Sequence, residues 1–386
     1  MLEKVLKGRP PFYIWLMILG AIITIGGGVY VLQIVKGLQI TNLSRDVSWG
    51  FYIAQFTYLV GVAASAVMLV LPTYFHNYDK FKKIIILGEF MAIGAVVMCV
   101  LFILVDLGQP HRAMNVILHP TPNSMMFWDM SVLMGYLVLN AVIGWVTLEC
   151  ERHGVKPPSW IKYFIYLSIF WAFSIHTVTA FLYQALPGRH YWLTAVLAAR
   201  FLASAFCSGP AILLLLCAVL KRFTGFDAGR DAIKALAKII AYAMGINIFL
   251  YLLELFTAFY SGMPGHQHPF FALYGGHGQS FWINGWMWSA VVMSIVSFLL
   301  LAFPQTRENE KILPYALVML VAATWIDKGL AMLFAGFVPN TFDEVTMYWP
   351  SIAEIMIGLG VYGIGALIVS VLWKIALEVK KEAGTF

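Results

Sequence analysis

Six ionisable side chains are placed by this sequence toward the same end of six long apolar stretches: Asp106, Asp129, His176, Arg200, Glu254 and Glu354. A charge at the centre of a membrane-spanning helix costs about 2.5 to 3.5 kcal/mol on insertion scales, so each is a candidate for function by default. The chemistry these residue types support is proton handling. An imidazole ordinarily titrates near pH ~6.5, which makes His176 a natural proton acceptor. Asp106 or Asp129 could serve it as hydrogen-bond partner or relay, provided each comes within reach. His176, Thr179 and Tyr183 recur at i, i+3 and i+7, one face of a helix. Asn247, Tyr251, Glu254 and Ser261 form a similar stripe. Stripes of this kind are more often hydrogen bonding between helices than a binding site, and the shared depth of the six groups is what favours a site. Glu89, Asp327 and Lys328 are expected deeper, where they could continue a proton path or form structural ion pairs. Adjacent residues on a helix point about 100° apart, so Asp327 and Lys328 need not cancel each other.

The segment Asp106-Leu-Gly-Gln-Pro-His-Arg112 is the sharpest local signal. Gly108 and Pro110 break the helix, and Arg112 is expected to fold back onto Asp106 as a charge-assisted pair. That pair reads equally well as a clamp on a helix end and as a carboxylate lining a pocket. A second helix-breaking run, His119 to Asp129, leads into the next apolar stretch.

These residues need elements to position them, and composition says what the elements are. Of 386 residues, 61% are hydrophobic and only 11% charged, against about 25% charged in soluble domains. The mean hydropathy is +0.81. An ordinary cytosolic enzyme and a disordered chain are both excluded. Ten apolar stretches are long enough to cross roughly 30 Å of hydrocarbon: Pro11–Val35, Trp49–Leu71, Ile84–Leu107, Met125–Leu148, Trp160–Leu182, Trp192–Leu220, Ile233–Tyr260, Gly285–Leu301, Ile312–Phe337 and Ile352–Leu377. The expected fold is an all-α integral membrane protein, a single domain over 1–386. The first stretch has basic flanks like a signal peptide, but it is as long as a span and is read as an uncleaved one.

The net charge of +6 reflects orientation rather than a nucleic-acid partner. Nineteen of the 25 Lys and Arg residues, Lys4, Lys7 and Arg9 among them, fall on the side of the two termini. Only Lys36, Arg45, Arg112 and Arg189 fall opposite. The positive-inside rule then makes both termini cytoplasmic in a multi-pass protein of the cell membrane. The outer connections are the longer ones, and residues 261–284 contain no Lys or Arg; such a loop either binds a partner or caps the bundle. A faint echo relates Asp106 to Glu254, His176 to Asp327 and Trp128 to Trp282. It suggests parallel repeats, 49–182 and 192–337, packed as two four-helix bundles (spans two to five and six to nine) with two flanking helices.

Cys99, Cys150, Cys207 and Cys217 are far apart with no C-x-x-C, so neither a disulfide framework nor an iron–sulfur ligand run is expected in this chain. Of nine histidines only His176 is within a span, which argues against haem held between His pairs on facing helices. His266 and His268 lack a matching ligand for a metal such as zinc, and His277 lies in the same loop.

The motif D-L-G-x-P-x-R at 106–112, then H-P-x-P-x-S-x-x-x-W at 119–128, with Ser48-Trp49-Gly50 before them, resembles the NrfD/PsrC family of membrane subunits from quinone-linked oxidoreductases. Residues 174–181 and 253–262 extend the likeness over nearly the whole chain, and within the family it is most similar to DsrP/HmeC-like subunits of the membrane complex associated with sulfite reduction. The resemblance implies a haem-free, ten-helix subunit that exchanges electrons between menaquinone or menaquinol and an iron–sulfur, ferredoxin-like partner on the outer face. Other membrane and cytochrome subunits would complete the complex. It assigns the quinone chemistry to His176, Asp106 and Asp129, with Arg112 as positioner, Trp128 as ring contact, and Thr179, Tyr183 and Glu254 nearby; Glu89, Asp327 and Lys328 would carry protons. The first span departs from the family, offering mainly Gly20, Thr24, Gly26, Gly27, Gly28 and Tyr30 where some members have a polar or histidine residue. Rival readings are a secondary transporter, which predicts helices broken near the midplane, and a structural anchor.

Overall fold

The computed structural model describes residues 3, 8, 10–76, 78–276, 281–340, 342 and 344–386. Lys4, Lys7, Arg9 and His277 lie outside them. Among the described residues ten helices are long and apolar enough to cross a membrane, and all ten expected stretches are found. In chain order the helices are α1 (Pro10–Lys36), α2 (Phe51–Ala63), α3 (Val67–His76), α4 (Ile85–Asp106), the short α5 (Asn115–Leu118), α6 (Met125–Arg152), α7 (Ile161–Gln184), α8 (Val196–Thr224) and α9 (Arg230–Tyr260). There follow α10 (Pro264–Tyr274), α11 (Trp282–Ala302), the short α12 (Pro304–Arg307), α13 (Leu313–Thr324), α14 (Met332–Gly336) and α15 (Ile352–Glu382).

Local chemistry sets the ends. Pro10 and Pro11 open α1, where a missing N–H costs nothing. Gly225, at φ 78°, closes α8 in the left-handed conformation that glycine alone adopts freely. Ser351 and Glu354 cap the start of α15 reciprocally. Spans alternate in direction, so the connections after α1, α4, α7, α9 and α14 lie at one end, called here the long-connection face. The outer ends of α1 and α15 lie at the opposite, terminal face.

The spans form two closed rings. One runs α2/α3, α4, α6, α7; the other runs α8, α9, α11, α13. The helices α1 and α15 pair with each other outside the rings, and α15 leans on α4 and α6. The α2 span is central, with 94% of its most apolar window buried, against 11% for α1. It packs on α8 and on the segment between α13 and α14, and so forms the seam between the rings.

Absent side chains permit the close crossings. A Cβ added at Gly209 of α8 would lie 2.0 Å from Ser65 Cβ, and one at Gly26 of α1 would lie 2.6 Å from Gly360 Cα of α15. Such small-residue contacts are how helices associate where lipid is as apolar as leucine.

Two spans change pitch inside the membrane. Ala64–Ala66 between α2 and α3 is a 3₁₀ turn, and Trp325–Ala331 between α13 and α14 is a π-helix of seven residues. The residues flanking both segments keep right-handed helical backbone angles. Neither span is unwound in the way the transporter reading required.

Gly209→Val is expected to lower the thermal unfolding midpoint of the detergent-purified protein, by overpacking worth about 1–3 kcal/mol. Gly27→Ala, where an added Cβ meets nothing within 4 Å, should leave that midpoint within error of the parent.

Candidate functional site

In the first ring the α7 stripe faces inward, as its spacing predicted. His176 is fully buried, and neither ring nitrogen has a hydrogen-bond partner. One turn on, the buried Thr179 hydroxyl donates to Asp129 Oδ1 of α6 at 2.6 Å. A further turn on, Tyr183 is hydrogen-bonded to Thr57 of α2. Its ring meets Trp49 edge-on at 5.6 Å and Trp192 at 5.0 Å. Three helices thus converge on a dry imidazole, an acid held by a hydroxyl, and a fixed phenol.

Asp106 ends α4, and its Oδ1 has no hydrogen-bond partner. Arg112 does not fold back onto it. Residues 110–112 form a 3₁₀ turn, packed in by Gly108 against Leu38, that leaves Arg112 exposed, and no ion pair joins the two among the described residues. The end of α4 is clamped instead from α1. Gln33 donates to Val105 O at 2.6 Å, Tyr30 to Leu104 O at 3.4 Å, and Tyr52 to Gln33 Oε1 at 2.8 Å. Sequence reasoning missed Gln33 because it is near the end of its span, where a polar residue usually meets solvent; here it is 3% exposed. Trp128 is likewise not a ring contact. It is 46% exposed, and its indole N–H donates to Pro122 O at 2.8 Å. Asp129 points inward, so its sequence neighbour, about 100° around the helix, turns out.

Among the described residues no hydrogen bond joins Glu354 to that cluster, and it serves as a structural hub. It is fully buried and accepts from Asn42 N at 3.0 Å, Ser351 N at 2.8 Å and the Tyr348 hydroxyl at 2.6 Å. The Tyr348 oxygen in turn accepts from Phe51 N at 2.7 Å, and Trp282 donates to Tyr348 O at 2.7 Å. Burial, with the Glu354 carboxylate beside it, holds the Tyr348 phenol well above its ordinary range, so it stays a donor. Beside this hub is a narrow apolar hollow of about 20 Å³ walled by Trp49, Phe51, Trp282, Phe334 and Phe337. None of His176, Asp106 and Asp129 lines it. Trp49 borders both the hollow and Tyr183.

Glu254, expected near the quinone head group, belongs to the second ring. Arg200 of α8 is hydrogen-bonded to Glu254 of α9 and donates to both oxygens of Asp327 at 3.1 Å. The Tyr251 ring lies 4.7 Å from the guanidinium. Lys328 is 4% exposed, donates to Phe201 O at 3.2 Å and lies over the Phe201 ring. Both Asp327 and Lys328 are on the π-helix, which a reading in regular helical steps does not anticipate. A small cavity of about 10 Å³ lies among Arg200, Ser204, Asn247, Asp327 and Lys328. Glu89 is elsewhere, buried in the first ring near the terminal face. A Cβ added at Gly144 of α6 would lie 3.5 Å from its unpartnered Oε2. The three residues expected on one proton path are therefore divided between two rings.

No cluster of three His, Cys, Asp or Glu among the described residues is placed to hold a metal ion. His190 and His266 meet at the long-connection face with their rings 5.9 Å apart and tilted by 51°.

Ten spans closed into two rings, with acid and imidazole groups buried toward one end, define a polytopic membrane protein. The chain belongs to the NrfD family, described as polysulphide reductase, NrfD, whose model matches residues 39–340. That match takes in both rings and leaves out α1 and α15. The chain is 28% identical to a putative membrane subunit of dimethyl sulfoxide reductase from Halobacterium salinarum, over 92% of this chain and 89% of that one. It is 25% identical to an Hdr-like menaquinol oxidoreductase integral membrane subunit of Archaeoglobus fulgidus, over 60% of this chain and 57% of that one. To the menaquinone reductase integral membrane subunit of Nitratidesulfovibrio vulgaris it is 23% identical, over 90% and 88%. Relatives of this kind are membrane subunits of multi-subunit oxidoreductases, which gives the chain its general role as part of such a complex.

Glu354→Ala leaves two backbone N–H groups and a phenol without their acceptor, and is expected to cost roughly 2–4 kcal/mol of stability. Thermal unfolding in detergent measures it, and Glu354→Gln, which keeps an acceptor oxygen, should lose about half as much.

Proposed function

We propose that this chain is the quinone-reactive membrane subunit of a respiratory oxidoreductase, exchanging electrons between menaquinol or menaquinone and an extracytoplasmic iron–sulfur partner. The observation that carries the reading is His176: an imidazole sealed from solvent, both nitrogens unpartnered, in a chain whose relatives are named as menaquinol and menaquinone enzymes. Buried polar atoms are normally hydrogen-bonded, so an imidazole left open on both sides suits a ligand that brings its own acceptors. A quinone does so with its two carbonyl oxygens, and the residues present fit it in that respect. When bound, it supplies a carrier of two electrons and two protons.

His176 would hold the head group and exchange a proton at a ring nitrogen. Asp129, with one oxygen occupied by Thr179, keeps the other for a proton or a donor. Asp106, whose Oδ1 is unpartnered, is a second acceptor at the end of α4. Tyr183 is fixed by Thr57 and by the Trp49 and Trp192 rings, and would hold its place beside a bound head group. The dry surroundings exclude water and strengthen each of these interactions.

The asymmetry of Lys and Arg supports placing the terminal face in the cytoplasm of the cell membrane, with the long-connection face outside. The iron–sulfur subunit would then dock on the long connections, and other membrane and cytochrome subunits on the lipid-facing helices. Menaquinol oxidation would deliver electrons outward to the partner and release protons, or the reverse; Glu89, Asp327 and Lys328 are the further groups on which proton translocation would draw. Within the family we favour the DsrP/HmeC-like branch and a place in sulfite reduction, on the motifs at 106–112 and 119–128. We also read 49–182 and 192–337 as parallel copies. In support, the α2–α8 crossing pairs residues at one constant separation, Gly61 with Ala205 and Ser65 with Gly209.

The test is titration of a quinol analogue against the purified assembly. His176→Ala should lower electron transfer by at least about a hundredfold, the lower range for a lost acid–base group, and Asp106→Asn should weaken analogue binding. Unchanged affinity and rate in both variants would reject the site.

A further inference from the structure

Electron transfer at His176 leaves the charged cavity of the second ring without a task. Its groups are deeply buried, Arg200 at 6%, Glu254 at 7% and Lys328 at 4% exposure. Two carboxylates, one guanidinium and one ammonium make the cluster neutral as a whole. Around Glu254 stand Arg200 from α8, Asp327 from the π-helix, and Tyr191 and Thr194 from the connection between α7 and α8; Tyr251 of α9 lies against Arg200, and Lys328 lines the cavity beside Arg200 and Asp327. Three buried atoms of this shell have no hydrogen-bond partner in the protein, namely Glu254 Oε1, Asn247 Oδ1 and the Tyr191 hydroxyl. Buried polar atoms of this kind are normally satisfied by ordered water, and the cavity of about 10 Å³ that Asn247 lines together with Arg200, Asp327 and Lys328 holds at most about one water molecule.

The cluster also has a way to the surface. Tyr251, stacked on Arg200, is hydrogen-bonded through its hydroxyl to the hydroxyl of Tyr274. Tyr274 is half-buried on α10, the short helix after α9 on the long-connection face. It has a way to the first ring as well. Lys328 reaches across the seam to the place where Gly61 has no side chain, an added Cβ there lying 2.9 Å from its Nζ, and its charge acts on His176.

We propose that the Arg200 cluster is a proton-exchange site of the second ring, opening to the long-connection face through the Tyr251–Tyr274 hydroxyl pair. A proton arriving at Glu254 Oε1 neutralises that carboxylate and weakens its ion pair with Arg200. Arg200 keeps Asp327 through its other nitrogen, so the guanidinium is paired in both states and the cluster gains one positive charge. Loss of the proton along the tyrosine pair restores the ion pair. Lys328, bonded to a carbonyl rather than to a carboxylate, is the cation through which a change of charge in one ring is felt in the other. The inference rests on the quinone-linked reading only for the source of the protons.

Infrared titration of the purified full-length chain tests the site without any partner. A protonated-carboxyl band that titrates with pH should be present in the parent and absent in Glu254→Gln, with Asp327→Asn as the second variant should the first fail to fold. Tyr274→Phe should keep the band and slow its hydrogen–deuterium exchange by about tenfold, the worth of one hydrogen bond. No such band, a band that survives both carboxyl variants, one that responds to sodium rather than to pH, or unchanged exchange in Tyr274→Phe would each overturn the proposal. In the assembly reconstituted into vesicles, Tyr274→Phe should reduce protons released per electron pair while electron transfer is kept. An assembly whose parent form transfers no electrons to or from a quinol counts against the His176 reading, and leaves the infrared result to decide this one.

Discussion

Hydrocarbon offers no hydrogen bonds, and that single constraint organises the molecule. Every polar side chain within a span must find its partner on another helix or pay for its isolation. The two rings are the solution. Each turns its polar stripes inward, α7 toward Asp129 and Thr57 in one, Arg200 toward Glu254 and Asp327 in the other. The lipid-facing surfaces are left to Ile, Leu, Val and Phe. Where partners are complete, the result is structural. Where they are not, at His176 and at Asp106, the unmet capacity marks the place where a ligand is expected.

The rings do different things with the same kinds of residue. In the first, an imidazole and two acids make no ion pair among the described residues. In the second, a guanidinium divides itself between two carboxylates, which lowers the cost of burying all three. The two are not isolated. The α2 span is shared by both, and Lys328 crosses beside it at Gly61.

Outside the rings, the connections are fastened rather than loose. Glu354 draws the segment after α1, the segment before α15 and, through Tyr348, the start of α2 to one point. Three connections of the long-connection face are thereby tied to one another at a single buried carboxylate.

The sequence by itself determined the ten spans and the family. These follow from apolar run length and from motifs that survive as local strings, and helical spacing alone put His176, Thr179 and Tyr183 on one inward face. Only the tertiary structure decided which side chains meet. It sent Arg112 and Trp128 outward, brought Gln33 in to cap α4, and gave Glu254 to Arg200 instead of to His176. The reason is geometric. Residue spacing fixes depth and angle within one helix, whereas the rotation of that helix against its neighbours is set by close crossings such as Ser65 on Gly209 and by the π turn at Asp327, and neither is written in any single helix.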